Sequence, residues 1–129
     1  MKLLVDEIAS PMGTMLLVSD GAAVMTLDFA DCRQRIDQSL ARRFGLVELR
    51  PAADPGGFSS AVRRYFTGDL GAVAELPLRL AGTPFQETVW AALRSIPVGA
   101  TTTYGELAAG LGRPGAARAV GRANGLNPV

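Results

Sequence analysis

The sequence predicts an α+β protein in two parts: a small domain over residues 1–80, with a three-stranded antiparallel sheet and two helices, then an all-helical domain over residues 81–129. Three observations carry this. Residues 2–29 hold three short apolar runs separated by turn residues, the pattern of paired strands. Residues 33–44 and 58–66 instead set their apolar side chains at helical spacing. Thr83-Pro84-Phe85-Gln86 then opens a new element with an N-cap, a proline at the first helical position and a glutamine three residues after the cap.

Lys2–Ile8 alternates and reads as the first strand, and Ser10-Pro11-Met12-Gly13 as a turn. Thr14–Ser19 is the second strand, Asp20-Gly21 a tight hairpin, and Ala22–Phe29 the third strand. In Arg33–Phe44, Ile36, Leu40 and Phe44 form one helical face, with Arg and Asp on the other. Leu46–Leu49 offers a further short strand. Asp54-Pro55 starts a helix whose stripe is Phe58, Val62, Tyr65 and Phe66 and which stops at Gly68, with Arg63 and Arg64 on its solvated side. Leu70–Arg79 is a connection.

In the second part, Phe85, Val89, Leu93 and Ile96 follow the Thr83 cap at helical spacing, with Trp90 beside them. Pro97 and Gly99 end that helix. Thr103 and Glu106 repeat the capping box for a helix from Tyr104 to about Gly110, and Leu111-Gly112 is the turn. Pro114 is then expected at the first position of a last helix running to about Asn124.

Composition narrows the function classes. With 48% of its 129 residues hydrophobic, the chain has material for a core. No apolar run is long enough to span a membrane, and Met1–Ser10 carries Asp6 and Glu7, unlike a signal peptide. A soluble, cytoplasmic protein is expected. The single cysteine, Cys32, excludes an internal disulfide, and the absence of histidine excludes a Cys/His zinc site and a His-activated nucleophile among these residues. Charge is divided: residues 1–90 hold nine Lys+Arg against eleven Asp+Glu, whereas residues 91–129 hold Arg94, Arg113, Arg118 and Arg122 against Glu106 alone. A polyanion would meet the second part; a solvated helix face explains the same charges.

Two short helices around a glycine-containing turn, the second studded with arginine, have the form of a helix-turn-helix DNA reader. On the last helix Ala116, Ala119, Val120 and Ala123 should face the core, while Ala117 and Gly121 leave another surface bare between Arg118 and Arg122. Alanine and glycine carry no hydrogen-bond code for base edges. A bare helix flanked by arginines suits the minor groove, read with little sequence preference. Close helix–helix packing is the alternative reason for small residues at 117 and 121.

The segments Gly82-Thr83-Pro84-Phe85-Gln86, Val89-Trp90, Ile96-Pro97, Thr102-Thr103-Tyr104-Gly105-Glu106-Leu107-Ala108, Arg113-Pro114-Gly115-Ala116-Ala117-Arg118-Ala119-Val120-Gly121 and Asn127-Pro128-Val129 closely resemble the C-terminal domain of the O6-alkylguanine-DNA alkyltransferases, the methylated-DNA–protein-cysteine methyltransferases. The likeness runs without gaps over residues 82–129. Ser10-Pro11, Leu27-Asp28-Phe29 and Tyr65-Phe66 fall where that family has similar elements in a small ribonuclease-H-like domain. The resemblance implies a monomeric DNA repair protein that meets double-stranded DNA through the minor groove and flips an alkylated guanine into a pocket, with no metal, cofactor or membrane. It implies that Arg118 fills the space the base vacates, that Tyr104 crowds the neighbouring phosphate, that Ala117 and Gly121 face the groove with Arg122 beside them, and that Asn127 is a hinge tying the last helix to the active-site strand. A planar guanidinium, which stacks and donates at once, suits the role of Arg118.

The family follows Asn-Pro-Val with Pro-Cys-His-Arg, whose cysteine accepts the alkyl group. The 129 residues stop at Val129, so an incomplete domain is expected, with no catalytic residue in the chain and the apolar faces around Val89, Trp90, Leu93 and Val120 partly uncovered. Cys32, between Asp31 and Arg33, is expected to be an incidental thiol. A lesion-binding protein without transfer activity, or a plain helix-turn-helix module, are the alternatives.

Overall fold

A computed structural model describes residues 1–96, 102–113 and 115–129, in two compact units: residues 1–80 with 128–129, and residues 81–127. The helix-stop signals Pro97 and Gly99, and Pro114, lie outside the described residues.

The first unit is built on β1 (Lys2–Ser10), β2 (Gly13–Ser19), β3 (Val24–Phe29) and β4 (Glu48–Pro51), in the order β3-β2-β1-β4. The expected three-stranded antiparallel sheet is therefore a four-stranded mixed one. β1–β2 and β2–β3 are antiparallel hairpins, whereas β4 lies parallel to β1, with Leu3 opposite Leu49. The cause is topological. Helix α1 (Arg33–Phe44) crosses one face of the sheet, so the chain returns in its starting direction, at the one edge of β1 still open. There the Glu48 N–H donates to the Met1 carbonyl and the Ala52 N–H to the Val5 carbonyl. Pro51, which has no N–H to offer, stands at the end of this edge strand.

Both faces of the sheet are covered. Leu3, Leu16, Val18 and Met25 pack with Ile36 and Leu40 of α1; Ile8, Leu17 and Val24 pack on the other face with Phe58 and Val62 of α2 (Phe58–Phe66). That is why Leu16, Leu17 and Val18 are all buried, although successive strand residues point to opposite faces. The outer edge of β3 is occupied too: Val24 exchanges backbone hydrogen bonds with the Pro77 and Arg79 segment, and the Leu27 N–H donates to the Pro128 carbonyl.

One α1 arginine departs from the expected solvated face. Arg43 turns onto the sheet, donating to the Met25 carbonyl at 2.8 Å, the Leu80 carbonyl at 2.9 Å, the Ser39 hydroxyl at 3.0 Å and the Thr26 hydroxyl.

The Asp54-Pro55 start signal is offset. A 3-10 turn over Pro55–Gly57 precedes α2, and the Asp54 carboxylate reaches forward to accept the Ser60 N–H at 2.8 Å together with the Ser60 hydroxyl. Those two bonds hold the Asp54 carboxyl below its ordinary value. Asp20 is lowered as well, first by the Ala22 N–H, against burial, then by the Ala23 N–H and the Arg79 guanidinium 3.2 Å away. Folding lowers both pKa values, so the unfolded chain takes up these protons first as pH falls. The stabilisation is complete above the ordinary carboxylate value of about 3.9 and is lost as pH drops through the lower folded values. Urea titrations of wild type and an Asp20→Asn/Asp54→Asn variant should differ at pH 6 and draw together as pH falls below the carboxylate range. A difference that persists unchanged into strong acid would rule this out.

Candidate nucleic-acid interface

The second unit consists of α3 (Pro84–Arg94), α4 (Tyr104–Gly110) and α5 (Ala117–Gly125). The α3 start is the full capping box: the Thr83 hydroxyl accepts the Gln86 N–H at 3.2 Å, and the Gln86 side-chain oxygen accepts the Thr83 N–H at 3.0 Å. Glu87 adds a bond from the Gly82 N–H at 2.8 Å. At α4 only half of the expected box forms. The Thr103 hydroxyl accepts the Glu106 N–H at 3.1 Å, but the Glu106 carboxylate is engaged by the Thr102 hydroxyl at 3.0 Å instead of reaching back to the cap. A hydroxyl one residue further out competes for it.

Trp90 organises the unit. It is 4% exposed, and its indole N–H donates to the Ala123 carbonyl of α5 at 2.8 Å. Gly82 permits its position, since a Cβ there would stand 2.4 Å from the ring. Val89 and Val120 are fully buried. The expectation that Val89, Trp90 and Val120 are partly uncovered is thus corrected: α3 and α5 bury these side chains against each other, and of that group only Leu93 is half-exposed.

Helix α5 starts at Ala117, three residues later than the proline signal implied. Ahead of it the Ala116 N–H closes a turn onto the Arg113 carbonyl at 3.0 Å. Val120 and Ala123 are its buried stripe; Ala116 is half-buried, and Ala119, expected in the core, is exposed. The reason is the position of α4, which packs on the Gly121 and Asn124 flank and leaves the Ala119 rim open.

The structure places the expected site residues as follows. Arg118 and Arg122, four apart on α5, are exposed, and among the described residues neither is paired with a carboxylate. Ala117 is half-buried in the first turn. Tyr104 opens α4 and is 48% exposed. Gly121 is half-buried against it: a Cβ at 121 would lie 3.0 Å from Cδ2 and Cε2 of the Tyr104 ring. The small residue at 121 therefore lets α4 and α5 approach. Asn127 follows α5, half-buried, its N–H donating to the Asn124 carbonyl at 3.1 Å, and the division between the two units falls just after it.

Two residues were not singled out by the sequence pattern. Asn124 donates from its amide to the Tyr104 hydroxyl at 3.1 Å, a contact visible only once α4 lies on α5. Arg113, counted with the basic residues, stacks 5.3 Å above the Phe85 ring. Cys32 lies at the end of the 3-10 turn after β3, its thiol pushed up by burial and by the adjoining Asp31 carboxylate, against the Arg35 guanidinium. That is the reverse of nucleophile activation. Among the described residues no group of His, Cys, Asp and Glu is placed to hold a metal, and no helix is long and apolar enough to cross a membrane.

Residues 84–129 match the family model described as the DNA-binding domain of 6-O-methylguanine DNA methyltransferase. The whole chain is 43% identical to the methylated-DNA–protein-cysteine methyltransferase of Salmonella typhimurium, spanning 77% of that protein. Over 95% of the chain it is 41% identical to the Mycobacterium bovis protein of the same name, spanning 69% of it. Among solved structures, a variant of the Mycobacterium tuberculosis O6-methylguanine methyltransferase superposes with a TM-score of 0.78 at 36% identity, covering 98% of this chain and 72% of that one. The M. tuberculosis protein OGT in complex with DNA does so at 0.74 and 34%, covering 97% and 71%. An α+β chain with a capped three-helix unit, alike in sequence and in backbone to these proteins over nearly all its length, belongs to the methylated-DNA–protein-cysteine methyltransferase family.

Proposed function

We propose that this chain is a DNA repair protein that engages alkylated guanine in double-stranded DNA from the minor groove. The observation that carries this is α5, a nine-residue helix whose exposed side presents Arg118 and Arg122 with only the small Ala119 exposed beside them. Two guanidiniums with no carboxylate partner among the described residues supply affinity for phosphate, and the low profile of the helix suits a narrow groove. Arg118 is read as the side chain that enters the stack beside the flipped base, Tyr104 as the group against the neighbouring phosphate, and Asn127 as the hinge that ties the last helix to the active-site strand. The protein is read as a cytoplasmic monomer. We read the first unit, residues 1–80, as ribonuclease-H-like. Its two antiparallel hairpins followed by a crossover helix and a parallel fourth strand support this.

The relatives bear the name of a transfer to a protein cysteine. The 129 residues here hold Cys32 as their single cysteine and no histidine, and the Cys32 thiol is disfavoured as a thiolate. These residues are therefore proposed to bind the lesion without accepting its alkyl group. Incubation with a duplex carrying radiolabelled O6-methylguanine, at 50 and 200 mM salt, tests both halves. Expected are tighter binding than to the unmodified duplex, about tenfold weaker binding by Arg118→Ala, and no label on the protein. Label approaching one per chain would sink the second half. Equal affinity for both duplexes with a steep salt slope would favour a plain electrostatic DNA-binding module instead.

A further inference from the structure

We infer that Asn124 is a positioning residue for Tyr104. The inference rests on the reading that the face of α4 and α5 meets DNA, and goes beyond it by naming what sets the donor direction of the tyrosine. Three observations meet here. The Asn124 Nδ2 lies 3.1 Å from the Tyr104 hydroxyl oxygen, with the amide as donor. The Tyr104 ring lies close against Gly121, where even a methyl group would stand 3.0 Å from two ring carbons. The tyrosine is still 48% exposed, so its hydroxyl end remains open to a ligand.

A phenol carries one proton and accepts through its oxygen. With the amide donating into the oxygen, the phenol proton has no acceptor in Asn124 and is directed outward. A phosphate oxygen accepts and never donates, so a tyrosine held this way is matched to phosphate before DNA arrives. Were the amide oxygen to face the phenol, the same proton would be spent inside the protein. Asn124 thus acts through Tyr104, and Gly121 keeps the ring where the amide reaches it. Gly121, Asn124 and Tyr104 form one device across two helices.

A double-substitution cycle on the intact chain tests this, read in two ways. The 13Cζ resonance of Tyr104, which senses the hydrogen bond at its oxygen, is expected to shift in Asn124→Ala without DNA, while that of Tyr65 stays in place. Affinity for duplex DNA is expected to fall about fivefold in Asn124→Ala and in Tyr104→Phe, and no further in the double variant, since one hydrogen bond is removed once. Asn124→Gln, one methylene longer, is expected to fail to restore affinity if donor position is what counts, whereas a generic polar role would be restored. Additive losses in the double variant would show that Asn124 acts by its own contact and would overturn the proposal. So would wild-type affinity in Asn124→Ala with the 13C shift present, which leaves the DNA reading intact. Failure of the wild-type chain to bind duplex DNA at all would overturn the DNA reading, and the role of Asn124 with it.

Discussion

Replacing Trp90 with alanine is expected to cost the helical unit about 3–5 kcal/mol, the range for emptying a large aromatic site in a packed core. The physical terms are separable. The ring is 4% exposed and lies close against Gly82, and the indole N–H is bonded to the Ala123 carbonyl. Trp90→Phe keeps most of the ring and removes the N–H. Because the Ala123 carbonyl also accepts the Leu126 N–H at 3.2 Å, it is not orphaned, and the phenylalanine variant should lose only about 1 kcal/mol from the bond, plus its own packing mismatch. Chemical denaturation followed by helical circular dichroism measures both, since fluorescence disappears with the only tryptophan. An alanine variant within about 1 kcal/mol of wild type would refute the role of Trp90 as the centre of this unit. The loss should carry over to DNA binding, because α5 holds Arg118 and Arg122 and is fixed from behind through Ala123.

Arg43→Met is expected to destabilise the first unit by about 2–4 kcal/mol. Methionine retains the apolar stem but leaves four acceptors without their donor: the Met25 and Leu80 carbonyls and the hydroxyls of Ser39 and Thr26. Thr26 is 1% exposed, so water does not readily replace the guanidinium there. A buried group deprived of its partner costs about 1–3 kcal/mol, and bonds to a charged donor lie at the upper end. Arg43 also stacks 5.0 Å above the Phe44 ring, a contact methionine supplies only in part. Arg43→Lys keeps the charge but cannot fork to four acceptors, and should recover less than half of the loss. Urea unfolding of the three proteins decides it; a methionine variant as stable as wild type would show that the network contributes nothing.

Local signals were the readable part. The capping box at Thr83 and the stripe Ile36–Leu40–Phe44 are each determined by residues within a turn or two, and each element stands where those residues predict; the Asp20-Gly21 signal marks a hairpin, but its turn spans residues 20–23 and β3 begins at Val24 instead of Ala22. The strand β4 was only half legible. Leu46–Leu49 has the composition of a strand, yet whether and in which direction it pairs depends on where α1 delivers the chain and on which edge of β1 is free. Arg43 was illegible for a similar reason: its position in the helix marks it as solvated, and only the nearness of β3 supplies acceptors to hold it inside.

The interface divides along the same line. Sequence alone determined the family likeness, the arginine pair Arg118 and Arg122, the small residues between them, and the lack of a histidine or second cysteine, because these are properties of residue identity and spacing. Tertiary structure alone decided that Ala119 is exposed, that Arg113 lies on Phe85, and that Gly121 and Asn124 lie against Tyr104. Residues twenty apart in the chain meet only because α4 folds back on α5, and no pattern local to either helix encodes that contact.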